Sequence, residues 1–141
     1  MENQIVHRWF FHHPPATVWK YLTDAKLLES WLMPSDFKLQ IGHRFTFSAR
    51  PIPIFGFDGK IYCEVLDFEP LRHLSYAWRG GKGKDVKLDS VVTWTLTERE
   101  GGTELNLLHS GFVGMRNYFP YLVMNKGWQK ILKRLSQKME S

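Results

Sequence analysis

Residues 87–110 read KLDSVVTWTLTEREGGTELNLLHS, and this stretch decides the fold. Two segments rich in β-branched and large apolar residues, Lys87–Thr97 and Thr103–Ser110, flank GluArgGluGlyGly. A short glycine-containing turn between alternating segments marks an antiparallel hairpin. Alternation then assigns the faces. Val92, Trp94 and Leu96 share one side and leave threonines on the other. Leu105, Leu107 and His109 share one side of the returning strand. Each strand offers one apolar face, as an antiparallel sheet does when it covers a core on one side.

The same pattern continues upstream. Leu74–Trp78 places Leu74, Tyr76 and Trp78 on one face, with Ser75 and Ala77 between them. GluProLeuArg joins it to Lys60–Phe68, where Ile61, Tyr62, Cys63 and Val65 leave the parity open. His43–Ala49 contributes Phe45 and Phe47, and Phe37–Gln40 is expected to pair with it across Ile41-Gly42. Pro51, Pro53, Gly56, Asp58 and Gly59 break the chain between strands. ArgGlyGlyLysGlyLys, from Arg79, is expected to form a mobile hairpin tip over a pocket entrance.

At the start, residues 3–11 (NQIVHRWFF) read as a strand closed by Pro14-Pro15. Pro15 suits a first helical turn, where a missing N–H is no loss. The helix it opens has Val18, Trp19 and Leu22 available to one side. Thr23 or Asp24 caps a second short helix carrying Leu27, Leu28, Trp31 and Leu32, and Pro34 ends it. At the far end, Met124, Trp128, Ile131, Leu132, Leu135 and Met139 recur at three- and four-residue steps over 121–139. That is an amphipathic helix of about five turns. Gly127 inside it either permits a close backbone approach or is simply tolerated.

The order predicts an α+β fold: a curved antiparallel β-sheet wrapped around a long C-terminal α-helix, with two short helices after the first strand. Residues 1–141 are expected to form a single domain. A sheet curved around one helix leaves a gap where the two diverge, and that gap is the natural ligand site. Phe45, Phe47, Tyr76, Trp78, Trp94 and His109 face it from the strands, and Met124, Trp128 and Leu132 from the helix. Packed core is the plain alternative for each ring. As a group, so many large rings are awkward to pack to crystal-like density. Tyr and Trp also carry polar tips that want partners, which a wet or ligand-filled cavity would supply.

Composition narrows the function classes. The chain has 141 residues, 43% of them apolar, with six Trp, ten Phe and five Tyr. Cys63 is the lone cysteine, so no internal disulfide forms, and it reads as an inert small hydrophobe. No signal-peptide pattern opens the chain and no apolar run has the length of a membrane span, so a cytoplasmic location is expected. The net charge is +5, with cations gathered in Lys82, Lys84 and Lys87 and along the last helix. The helix lysines fall between apolar positions, as on a solvated face, so nucleic acid is not the expected partner.

Catalytic sets are incomplete. Ser110 follows His109 directly, and neighbours on a strand point to opposite faces, so they cannot pair as nucleophile and base. GxSxG and HExxH patterns are absent, no Cys/His cluster has zinc-finger spacing, and no metal or cofactor is expected. The glycine-lysine run lacks the setting of a phosphate loop. His109, on an apolar face at a strand end, is the one candidate general base; the plainer reading is a buried, satisfied imidazole. Arg50, Arg72 and Arg79 lie at strand ends, where one could hold an acidic ligand group or simply be solvated. Asp58 and Glu64 are further polar candidates.

Three parts of the chain carry a family resemblance. They are ValTrpLysTyrLeuThrAsp (18–24) with LeuGluSerTrpLeuMetPro (28–34); GluProLeuArgHisLeuSerTyrAlaTrp (69–78); and LeuLeuHisSerGlyPhe (107–112) with GlyTrpGlnLysIleLeuLysArgLeu (127–135). Together they resemble the SRPBCC (START-like, Bet v 1-like) superfamily, in the branch of the C-terminal domain of the activator of heat-shock-protein-ninety ATPase. The resemblance implies a helix-grip fold with a deep apolar cavity at Trp31, Phe45, Tyr76, Trp78, Trp94, His109, Phe112, Met124 and Trp128. It implies binding of a hydrophobic small molecule (lipid, polyketide or sterol-like) as carrier or sensor. The alternatives are a cyclase or hydrolase using His109, and a chaperone-associated module. The sequence departs from the pattern at His43, where many relatives have a second glycine, and in an aromatic Phe112–Pro120 loop expected to act as a lid.

Overall fold

The computed structural model describes residues 2–51, 58–82, 85–113 and 118–140. Strand β1 (Glu2–Phe11) leads into helices α1 (Pro15–Thr23) and α2 (Ala25–Trp31). Five strands follow: β2 (Arg44–Ser48), β3 (Lys60–Glu69), β4 (His73–Lys82), β5 (Asp85–Arg99) and β6 (Gly102–Val113). Helix α3 (Tyr118–Glu140) closes the chain. The strands form one curved, wholly antiparallel sheet in the order β1-β6-β5-β4-β3-β2. The α+β helix-grip arrangement read from the sequence is the observed one.

Local chemistry explains the short helices. Pro15 opens α1, whose Val18, Trp19 and Leu22 are buried. Asp24, not Thr23, is the cap of α2: its carboxylate accepts from the N–H groups of Lys26 (2.9 Å) and Leu27 (3.2 Å). The Thr23 hydroxyl instead donates back to the Trp19 carbonyl (2.8 Å). Leu28, Trp31 and Leu32 then turn into the core.

Two expectations need correction. Phe37–Gln40 is not a strand; the single bridge here joins Ser35 to Phe47. Phe37 is buried edge-on against Phe45, centroids 5.0 Å apart, so it serves as a plug. The outer edge of β2 is satisfied without a ladder. Thr46 N–H donates to the Asp36 carboxylate (2.8 Å) and Ser48 N–H to the Pro34 carbonyl (3.0 Å). Nor is Phe112–Pro120 a loop: β6 runs on to Val113 and α3 begins at Tyr118, since Pro120 is tolerated in a first turn. The lid expectation falls largely on residues 114–117, outside the described residues. Of the expected hairpin tip, Arg79–Lys82 are strand, the end of β4, and Gly83 and Lys84 lie outside the described residues, as do Pro53 and Gly56 of the expected break.

The parity of β3 resolves to Ile61, Cys63 and Val65 inward, with Tyr62 half in solvent. On α3 the buried stripe is Trp128, Leu132, Leu135 and Met139, flanked by half-buried Met124 and Ile131. At Gly127 a β-carbon would meet no atom within 4 Å, so close approach is not its reason. At His43 the strand entry is a turn in which Gly42 takes φ +80° and the imidazole lies parallel to Phe45.

Candidate functional site

The inner face of the sheet is a wall of rings. Phe45 and Phe47 of β2, Tyr76 and Trp78 of β4, and Trp94 of β5 are all at most 2% exposed. Trp31 from α2 meets Trp94 edge-on at 6.0 Å. Trp128 from α3 lies 5.3 Å from Trp78 and 5.5 Å from Trp94. Phe47 touches Trp78, and Phe45 touches Tyr76. Nine of the residues expected at the site therefore join one ring network: these seven rings, His109 and Phe112. Leu132 is buried and Met124 half-buried on the helix above them.

Two of the polar tips of these rings are satisfied by protein groups. Trp94 Nε1 donates to the Tyr76 hydroxyl (2.9 Å), and Trp31 Nε1 to the Tyr21 carbonyl (2.9 Å). Burial pushes the Tyr76 phenol far above its usual range, so it stays protonated. Burial does the same to the Cys63 thiol, which keeps it out of nucleophilic chemistry.

His109 sits within a buried hydrogen-bonded chain. Trp128 Nε1 lies 3.0 Å from its Nδ1. An indole N–H only donates, so Nδ1 must accept and the ring proton must reside on Nε2. Nε2 lies 2.8 Å from Ser90 Oγ, and that hydroxyl lies 2.7 Å from the Trp78 carbonyl. The order is thus indole to imidazole to hydroxyl to carbonyl, with every donor matched. Burial lowers the imidazole from 6.5 to about 3, so the ring is neutral. In this arrangement neither ring nitrogen is open to take a proton from a substrate. Ser90 went unread in the sequence, although it extends the inward row of Val92, Trp94 and Leu96 by one step. A hydroxyl in an otherwise apolar row was the available signal.

Gly111 explains why HisSerGlyPhe places two rings on one side. Its φ of +107° belongs to glycine, and it lets both His109 and Phe112 turn inward, with centroids 4.7 Å apart. A β-carbon there would lie 2.9 Å from both the Asp89 carbonyl oxygen and Ser90 Cα, which are backbone atoms that cannot step aside. Gly111→Ala should therefore cost about 3 kcal/mol in urea unfolding. A loss under about 0.5 kcal/mol would show that the strand re-forms without this bend.

The charged candidates lie elsewhere. Arg79 pairs with Asp89 (3.0 Å) and Glu64 with Arg44 (3.5 Å) on the outer face, while Arg72 meets Glu69 (3.5 Å) at the β3–β4 turn. Asp58 accepts from the Tyr62 hydroxyl (3.0 Å), and Arg50 is exposed. An open groove of about 680 Å³ runs from Leu71 and His73 along Thr93, Thr95 and Thr97; another, of about 390 Å³, lies between Arg44, Tyr62 and Arg79. Both are outside the ring wall. Among the described residues, no cluster of His, Cys, Asp and Glu could hold a metal ion.

Helix α3 does not lie centrally over the wall. It packs chiefly on β1, β6 and α2, with His7 Nε2 3.0 Å from Asn125 Oδ1. Its contact with the rings of β4 and β5 is made by a side chain, Trp128. By the antiparallel order, the strand ends at Ser48, Lys60, Lys82, Asp85 and Val113 all fall at one end of the sheet.

Comparison with known proteins fits this geometry. The family model described as Activator of Hsp90 ATPase homolog 1-like protein matches residues 12–140. The crystal structure of protein MLL2253 from Mesorhizobium loti is 37% identical with a TM-score of 0.87, covering 98% of this chain and 97% of that one. Protein BH1534 from Bacillus halodurans is 28% identical with a TM-score of 0.75, covering 96% and 95%. CalU16 from Micromonospora echinospora is 25% identical with a TM-score of 0.77, covering 96% and 75%. A comparison with curated proteins finds no significant match.

Proposed function

The chain belongs to the activator of Hsp90 ATPase homolog 1-like family, within the SRPBCC superfamily, and on that premise we propose that it binds a hydrophobic small molecule between the ring wall and α3. The occupant is of the lipid, polyketide or sterol-like class, and the protein acts in the cytoplasm as its carrier or sensor. Folds of this superfamily commonly bind hydrophobic ligands.

The observation that carries the reading is the offset of α3. Its backbone comes closest to β1, β6 and α2, and its contact with the rings of β4 and β5 is through the Trp128 side chain. Side chains turn about their χ angles far more cheaply than a helix shifts. An apolar molecule entering at the end where the strand termini gather would displace rings from one another without breaking the sheet. A catalytic role for His109 gains no support from a ring with both nitrogens engaged.

Titration with a fatty acid, a flavonoid-type polyketide and a sterol tests the reading. Tryptophan emission and indole N–H shifts are followed. Saturable shifts are expected at Trp78, Trp94 and Trp128 with at least one class, and little change at Trp9 and Trp19. No saturation with any class would end the proposal.

A further inference from the structure

The outward side of α3 is a row of cations. Lys126, Lys130 and Lys133 follow at steps of four and three, so they fall along one line, opposite the buried stripe of Trp128, Leu132 and Leu135. All three are exposed, and no carboxylate among the described residues pairs with them. Arg134 stands beside the row, exposed and 3.5 Å from the Trp31 carbonyl, and Lys138 adds a charge one turn on. From Met124 to Met139 the helix has no acidic residue; Glu140 is the first, and it faces His13 at 3.7 Å. On neighbouring α2, Lys26 and Glu29 cancel. Three arginines of the sheet are matched instead: Arg44 with Glu64, Arg79 with Asp89, Arg99 with Glu104.

We propose that this face of α3 docks on an anionic lipid bilayer surface. The row from Lys126 to Lys133 is roughly 10 Å long and nearly straight, which suits a flat partner. Lysine ammoniums are compact, hydrated point charges on flexible stems, suited to a diffuse negative potential more than to a fixed acceptor pattern. Nucleic acid is the weaker match. Its recognition favours forked arginines and stacking aromatics, and the described outward face has one arginine and no ring. The docking is peripheral, because the apolar stripe of α3 is buried in the core and no helix among the described residues is long and apolar enough to cross a membrane.

Each cation near an anionic surface strengthens attachment about fivefold, so three together are worth about a hundredfold. The docking is independent of the reading of the interior, since the row lies on the far side of α3 from the rings. A chain that failed every hydrophobic-ligand titration would still sediment with vesicles.

The experiment is co-sedimentation of the full chain with phosphatidylcholine vesicles, with and without phosphatidylglycerol. Binding is expected to the anionic vesicles at low salt, to weaken sharply at about 0.5 M salt, and to be absent with the neutral ones. The Lys126→Gln/Lys130→Gln/Lys133→Gln variant should lose about a hundredfold in affinity with its circular dichroism unchanged, while the matching arginine variant retains binding. Three results would overturn the proposal: no anionic-vesicle binding at low salt, undiminished binding by the glutamine variant, or tighter binding to duplex DNA or polyglutamate at equal charge concentration.

Discussion

Trp128→Ala should cost about 5 kcal/mol of stability, more than most single substitutions. Two losses combine. Removing a fully buried indole leaves a void among Trp78, Trp94 and His109, and a Trp-to-Ala change in a core typically costs about 3–5 kcal/mol. The indole N–H is also the partner of His109 Nδ1, so its removal strands a buried acceptor, at about 1–3 kcal/mol. Since domains of this kind hold about 5–15 kcal/mol in total, the alanine variant stands at the margin of folding. Trp128→Phe keeps most of the ring volume and removes the donor, so it should cost about 2 kcal/mol and stay folded. Urea unfolding followed by far-ultraviolet circular dichroism measures both. If the phenylalanine variant matched the parent, the indole-to-imidazole bond would not exist in solution.

The second large effect is acid sensitivity. Folding holds His109 neutral, with its pKa lowered from 6.5 to about 3 by burial. Above pH 6.5 the ring is neutral in both folded and unfolded chains, and the difference contributes nothing. As pH falls below 6.5, the unfolded chain takes up a proton that the folded chain refuses. Stability therefore falls with falling pH, by up to about 1.4 kcal/mol per pH unit from this one group, until the folded ring titrates near pH 3. The cumulative loss is roughly 4–5 kcal/mol. His109→Gln replaces the ring with a non-titrating donor and acceptor. Whatever its stability at neutral pH, its slope between pH 6 and 5 should be shallower by about one proton. Equal slopes, or a His109 ring resonance that titrates near pH 6 in the folded protein, would refute the buried neutral imidazole.

The fold was legible because one side of the sheet is buried and the other wet. Leu74, Tyr76 and Trp78, then Val92, Trp94 and Leu96, then Leu105, Leu107 and His109 each turned inward as period-2 alternation requires. In β3 the alternation was blurred by Tyr62, an amphipathic ring that tolerates the outer face while its hydroxyl meets Asp58. The misread strand at Phe37–Gln40 failed for a different reason. Its Phe37 is buried, but β2 finds its edge partners in a side chain and a distant carbonyl, and neither leaves a pattern in sequence.

Site chemistry was harder to read than site membership. The rings could be assigned to an inner face one strand at a time. The pairing of Ser90 with His109 depends on register between strands and on the bend at Gly111, so it emerged only once β5 and β6 were laid side by side. Hydrogen-bond direction mattered as much as proximity. A serine 2.8 Å from a histidine invites a nucleophile–base reading, and the indole on the opposite nitrogen reverses it by fixing the ring proton on the serine side.

The rim formed by β2 has a consequence for behaviour in a crowded solution. A bare strand at the border of a sheet is a template on which foreign chains can add and fibrils can start. Here the Asp36 carboxylate already occupies the amide of Thr46, so the carbonyl of an incoming strand finds that donor taken. One acidic side chain thereby helps close a border that would otherwise recruit further strands.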